Sequence, residues 1–325
     1  MKRAGITGYG FYVPERILTN RDLEKMVETS DEWVRTRTGI SERRIAEKGT
    51  GVSDLAAQAA LAAMKNAKVA PEEIDLLIVA TTTPDMPLPS SACFLQEKIG
   101  AKNAAAFDLA AACAGFVYAL VTGEQFIRCG TYKTVLVVGA DLISSYIDWT
   151  DRSTCVLFGD GAGAVVLKEV DRGGILASVL GSDGHYADLL TICGGGSKYP
   201  ASEETLKSKR HYLQMSGSEV FKLAVRGMME AVTLALAKAN VDIHDVACFI
   251  PHQANQRIID AVGERLNLPK EKVFVNLAKY GNTSSASCVI ALCEALEQGK
   301  IKKKDKIVLA TFGSGLVWGA SVIEW

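Results

Sequence analysis

"IDLLIVATTT", residues 74–83, is a near-continuous apolar run of the kind that a strand buried on both faces requires. "HDVACFIPHQ", residues 244–253, reads the same way about 170 residues later. The surroundings repeat as well. After 74–83 come a strand-like run at 104–110, an apolar helix over 113–129 that Gly130 closes, and "KTVLVVGAD" at 133–141. After 244–253 comes "KVFVNLAKYGNTSSAS", 272–287, which parallels 102–117 and predicts a strand at 273–277 running into a small-residue turn and a helix. "DKIVLATFGSG", 305–315, then parallels 133–141. "GAGAVVLKEV", 161–170, is a further strand. Strands alternating with helices predict an α/β fold, and two copies of one plan predict an internally duplicated, pseudo-twofold molecule. The halves are expected to divide at 1–172 and 173–325. The polar stretch 182–215, with its glycine triplet at 194–196, reads as surface loops capping a site, and 14–54 as an excursion from the first core strand.

Composition narrows the function classes. The chain of 325 residues is 48% hydrophobic and 22% charged, an ordinary globular composition with material for a large core. A net charge of −1 gives no global field that would favour nucleic acid or a membrane surface. "MKRAGITGYG" lacks an apolar signal core and no apolar run reaches bilayer length, so a cytoplasmic protein is expected. The eight cysteines form no C-x-x-C pair and mostly lie in apolar runs, which argues for reduced core thiols rather than disulfides or zinc. Glycine-rich stretches also fail as cofactor loops. "GYG" at 8–10 has Val13 where a third glycine would stand, followed by Pro14. "FGDGAGAVVL", 158–167, leads into a strand, so it offers no helix amides to a phosphate and is expected to form a tight turn.

Three polar residues stand at predicted strand ends, where ligands and catalytic groups of α/β sheets gather. Cys113 follows 104–110, His252 follows 246–250, and Asn282 follows 273–277. Singly, each has a structural explanation: a small core thiol, a capping histidine, a turn asparagine. Together they suit thioester chemistry. A cysteine at a helix N-terminus has its thiol pKa lowered by the helix dipole. An imidazole and an amide both donate hydrogen bonds to a developing oxyanion, at about 3 kcal/mol per donor in comparable sites. "FGSGLVWG", 312–319, can bring a further backbone amide close.

"WVRTRTGISERR", "FDLAAACAGF", "FGDGAGA", "PHQANQRI", "YGNTSSAS" and "FGSGLVWG" carry a resemblance over the whole chain. In order and spacing they are similar to the β-ketoacyl-[acyl-carrier-protein] synthase III family of condensing enzymes. The resemblance implies the thiolase fold, five alternating α-β-α-β-α layers with two mixed sheets, in a homodimer. It implies a Cys113, His252, Asn282 triad, and an oxyanion hole from the backbone of Cys113 and of Ser314, which replaces the usual glycine. It implies a cytoplasmic acyltransferase that initiates type II fatty-acid synthesis, with acyl-CoA and malonyl-acyl carrier protein as substrates and no metal or redox cofactor. Trp33 and Arg152 would hold the CoA adenine, Arg37 its phosphates, and Gly217 and Asn255 the pantetheine. Lys222, Arg257 and Arg265 would dock the acidic carrier protein. Leu88 would end the acyl pocket in place of a phenylalanine. Thiolases need a second cysteine that "ATFGSG" lacks, and hydroxymethylglutaryl-CoA synthases a glutamate that "TTTPD" lacks. A related Cys-His-Asn polyketide-type condensing enzyme is the alternative.

Overall fold

A computed structural model describes residues 3–325; Met1 and Lys2, part of the stretch read for a signal core, lie outside the described residues. Five strands form the first sheet: β1 (Arg3–Tyr12), β2 (Leu76–Ala80), β3 (Ala105–Leu109), β4 (Thr134–Leu142) and β5 (Asp160–Val170), in the order β1-β5-β4-β2-β3. Strand β2 is parallel to β4 and to β3, while β5 is antiparallel to both β4 and β1. The second sheet has β6 (Gly174–Ser182), β7 (Val246–Pro251), β8 (Lys306–Gly313) and β9 (Val317–Glu324), in the order β7-β8-β9-β6. Strand β7 is parallel to β8, and the other neighbours are antiparallel. The parallel pair β7-β8 matches β2-β4, as the sequence repeat predicts.

Side-chain alternation builds the layers. Leu77 and Val79 of β2 and Leu136 and Val138 of β4 pack on α1 (Val52–Ala67) and α2 (Ser91–Ile99). Their neighbours Leu76, Ile78, Val135 and Val137 point the opposite way, onto α3 (Gly115–Arg128) and α6 (Ala286–Glu297). From the other side Cys248, Ile250, Ile307 and Leu309 reach the same central helices. Phe249, Val308 and Ala310 face α4 (Gly217–Ala239) and α5 (Gln256–Arg265). Helix α6 is therefore sandwiched between sheets, and its residues 286–295 are all buried, Cys288 and Cys293 included. A helix apolar on every side belongs in such a central layer.

Two glycines show how closely strands and helices approach in the fold. Gly10 lies inside β1, where a Cβ would fall 2.5 Å from Ala63 N on α1. Gly163 lies inside β5, not in a tight turn, and its Cβ would meet Val289 of α6 at 2.4 Å. Both glycines let a helix pack directly on a strand.

The predicted strand at 273–277 does not form. Only a single bridge joins Phe249 to Val273, and the chain then enters a short helix, Leu277–Tyr280. Gln253 explains the loss. Its buried amide donates to Pro251 O at 2.8 Å and Phe274 O at 3.2 Å, and accepts from Asn276 N at 3.0 Å. A side chain takes up backbone groups that a ladder would otherwise pair.

The 182–215 stretch contains two-residue strands, Leu190–Thr191 and Gln214–Met215, that pair with each other. Residues 14–54 form a small paired unit, Ile17–Thr19 with Glu42–Arg44, plus a helix Asp31–Thr38. Among the described residues no helix is long and apolar enough to cross a membrane.

Candidate active site

Cys113 lies beyond the carboxyl end of β3, in a 3-10 turn (Ala112–Ala114) that leads into α3. Ala112 before it takes a left-handed φ of 44°, which turns the chain sharply between strand and helix. His252 directly follows β7 and is only 3% exposed. Its backbone N–H donates to Ala310 O at 2.7 Å, and its Nδ1 lies 2.5 Å from Ser287 Oγ. Asn282 is placed by the opposite half of the molecule. Its N–H donates to Leu157 O at 2.8 Å, and its carbonyl accepts from Gly159 N at 3.0 Å. Its side-chain Oδ1 accepts from Ser284 N at 2.8 Å, which leaves the amide N–H groups free to donate.

These three residues, far apart in sequence, line one cavity of about 160 Å³ with Gly217, Asn255, Phe312 and Gly313. Cys113 also borders a second cavity of about 240 Å³. Its walls come from Thr82, Ile143, Phe158, Leu190, Ile192 and Leu213, so the 182–215 segment does cover a site. The thiol thus stands between two cavities, each of mostly apolar lining. Ser284 Oγ donates to its sulfur at 3.5 Å.

Electrostatics correct one expectation. The Cys113 thiol is pushed up to about 12, chiefly by burial and further by the Asp141 carboxylate. Desolvation outweighs the helix dipole, so the resting Cys113 thiol is neutral. Burial likewise takes His252 down to about 4, so the imidazole is neutral at pH 7. Asp141 anchors the site from below. It accepts from Thr81, Thr82 and Thr83 of one half and from the Ser285 N–H and hydroxyl of the other.

The glycine-rich turn meets the Cys113 turn backbone to backbone. A Cβ on Gly313 would fall 2.7 Å from Cys113 N and 3.1 Å from Ala114 N. Ser314 beside it borders the apolar chamber and donates its hydroxyl to Leu190 O. Arg152 stacks over Trp33 with its guanidinium carbon 4.9 Å from the ring centroid. Asn255 caps α5 through Arg257 N, and its amide donates to Arg37 O at 3.2 Å. That bond ties the 31–38 helix to the tunnel rim. Arg257 lies over Phe221, a tunnel residue, at 5.7 Å, and exposed Lys222 is next in sequence. Arg265 sits two turns further along α5, bonded to Ala261 O.

Leu88 is not brought to the site within one chain. It is 84% exposed and lines neither cavity. The apolar walls also include Ile143, Phe158 and Leu213, which the sequence reading did not single out. Nor did it single out Ser284, Ser287 or Gly313; the hydroxyl run in "YGNTSSAS" was the available signal. Among the described residues no group of three or more His, Cys, Asp or Glu side chains is placed to hold a metal ion.

Comparison with known proteins agrees with this geometry. A family model described as 3-Oxoacyl-[acyl-carrier-protein (ACP)] synthase III matches residues 107–184, and its C-terminal counterpart matches 236–325. The Beta-ketoacyl-[acyl-carrier-protein] synthase III of Desulfitobacterium hafniense strain Y51 is 54% identical, covering 100% of this chain and 98% of its own. That of Clostridioides difficile strain 630 is 53% identical, covering 99% and 98%. The crystal structure of 3-oxoacyl-[acyl-carrier-protein] synthase III from Aquifex aeolicus VF5 superimposes with a TM-score of 0.92 at 49% identity, each chain covered completely. The fold is therefore the expected thiolase fold. With Cys, His and Asn on one cavity and whole-length relatives above half identity, the chain belongs to the β-ketoacyl-[acyl-carrier-protein] synthase III family.

Proposed function

We propose that the protein catalyses the initiating condensation of type II fatty-acid synthesis, with Cys113 as nucleophile and His252 and Asn282 as enolate-stabilising donors. The convergence of these three side chains on one cavity, with an apolar chamber behind the thiol, is the observation that carries the reading. In the first half-reaction the Cys113 sulfur attacks the carbonyl of an acyl-CoA primer. The bond between the acyl carbon and the CoA sulfur breaks, CoA leaves as its thiol carrying the Cys113 proton, and the acyl group enters the apolar chamber. Because a neutral thiol becomes a neutral thioester, no charge stays buried afterwards. In the second, the malonyl thioester loses its carboxylate as CO2, and the electron pair moves onto the thioester as an enolate. His252 Nε2–H and the Asn282 amide stabilise its oxygen as fixed dipoles in a site that excludes bulk water. The enolate carbon attacks the acyl carbonyl, the oxyanion forms against the amides of Cys113 and Ser314 and collapses, and the Cys113 sulfur leaves as a thiolate that takes up a proton from solvent. Each step needs donors and a nucleophile, not a metal or redox cofactor. The polyketide-type alternative is not favoured, since relatives above half identity along the whole chain are synthases III.

The substrate-binding assignments are proposals of the same reading. Trp33 and Arg152 take the adenine, Arg37 the phosphates, and Gly217 and Asn255 the pantetheine; the Arg152–Trp33 stack and the Asn255–Arg37 bond support this. Lys222, Arg257 and Arg265 receive the acidic carrier protein, supported by their exposure on α4 and α5. A homodimer is supported by Leu88 and by Met86, 43% exposed, apolar side chains that a second copy of the chain would cover. Leu88 then acts at the acyl chamber of the partner subunit. Cytoplasmic residence and division of the chain at 172/173 complete the reading; the two sheets fall on either side of that point.

The test separates the half-reactions. With radiolabelled acetyl-CoA, wild type and the His252→Ala and Asn282→Ala variants are expected to acquire label on Cys113, and Cys113→Ala none. Decarboxylation of malonyl-acyl carrier protein should fall at least ~100-fold in the two donor variants. Label surviving in Cys113→Ala, or wild-type decarboxylation in both donor variants, refutes the assignment.

A further inference from the structure

His252 is buried, and among the described residues only one of its ring nitrogens has a hydrogen-bond partner. Nδ1 lies 2.5 Å from Ser287 Oγ, on the first turn of α6. The other nitrogen, Nε2, is left for the cavity shared with Cys113 and Asn282. Which nitrogen carries the proton follows from the hydrogen-bond count at Ser287. The Gln253 backbone N–H donates to the same hydroxyl oxygen at 3.4 Å, occupying one lone pair. A hydroxyl has one proton to give, and Nδ1 is the near acceptor. If instead Nδ1 carried the proton, Ser287 Oγ would receive two donors, and its own proton would need a second acceptor in a residue only 2% exposed.

We propose that Ser287 is a positioning residue that fixes His252 in the Nε2–H tautomer, so that the imidazole enters the reaction as a hydrogen-bond donor and not as a base. The inference rests on the reading of His252 as an enolate-stabilising group. It adds what that reading leaves open, namely what sets the tautomer. Burial supports it from a second side by keeping the ring uncharged. A neutral ring with Nε2–H has no lone pair facing the thiol, so the Cys113 proton must leave with CoA. The rigid placement of Ser287 follows from α6, which is buried on every side between the two sheets.

The chain has only four histidines, so nitrogen-15 NMR of histidine-labelled protein can resolve the tautomer, with His252→Gln assigning the resonance. Wild type is expected to show a protonated Nε2 and an unprotonated, hydrogen-bonded Nδ1 at neutral pH. Ser287→Ala is expected to shift the Nδ1 resonance and admit the Nδ1–H form. It should also slow malonyl decarboxylation about tenfold, the value of one lost hydrogen bond, while Cys113 acylation stays within about twofold. Ser287→Thr, which keeps the hydroxyl, should restore both. A protonated Nδ1 in wild type overturns the proposal. So does a Ser287→Ala protein with unchanged tautomer and decarboxylation, or one that loses acylation and decarboxylation equally. A protonated Nε2 together with wild-type decarboxylation in His252→Gln would support the tautomer assignment and refute the catalytic reading of His252, so the two failures are distinguishable.

Discussion

Acid should destabilise this fold through His252 within one window. The imidazole has an ordinary value of 6.5 and is held near 4 in the native state by burial alone. As pH falls below 6.5 the unfolded chain takes up a proton that the native chain refuses. The unfolded state then binds more protons, so stability falls with pH, and the loss is complete near pH 4, where the native imidazole also charges. At ~1.4 kcal/mol per pH unit the whole window corresponds to about 3 kcal/mol, a large share of a typical folding free energy. The perturbation is His252→Gln, which removes the titrating group and keeps a polar side chain against Ser287. The assay is urea unfolding of both proteins at fixed protein concentration, from neutrality down to the acid limit. Burial also raises the Asp160 and Glu124 carboxyls, but both proteins carry them, so they cancel in the difference. Wild type should lose about 3 kcal/mol more than the variant across the window. Parallel curves would refute the buried neutral imidazole, and a steeper loss in the variant would reverse its sign.

Two substitutions test the surroundings of the triad. Gly313→Ala would set a methyl 2.7 Å from Cys113 N, displacing the amide proposed to face the developing oxyanion. Turnover should fall about 10²–10³-fold with the fold retained, read by steady-state kinetics beside thermal unfolding; unchanged turnover would remove that amide from the site. Gln253→Leu keeps the volume but leaves Pro251 O, Phe274 O and Asn276 N without their partner. A loss of about 3 kcal/mol in chemical denaturation is expected, with faster hydrogen exchange at 274–276; equal stability would refute the account of the missing strand.

The contrast between 74–83 and 273–277 shows what a single sequence carries. Apolar runs, their alternation and their recurrence are local or periodic properties, and they place the strands, the duplicated halves and the three polar residues at strand ends. Strand 273–277 fails because Gln253, twenty or so positions upstream, supplies the hydrogen bonds of a neighbouring strand from its side chain, which no local pattern encodes. The Cys113 pKa fails for a related reason. A helix N-terminus can be read from sequence, but the degree of desolvation depends on every layer that closes over the thiol, and here it wins.

The sequence by itself determined the α/β class, the internal repeat and the identities of Cys113, His252 and Asn282, because strand and helix periods and motif spacing are written along one dimension. Only the tertiary structure decided that Asn282 is held by Leu157 and Gly159 of the other half, that Ser287 meets His252, and that Ile143, Phe158 and Leu213 wall a cavity beside Cys113. It also took Leu88 away from the cavities of its own chain. Burial, hydrogen-bond partnership and cavity shape are sums over residues distant in the chain, and they acquire values only when the layers close.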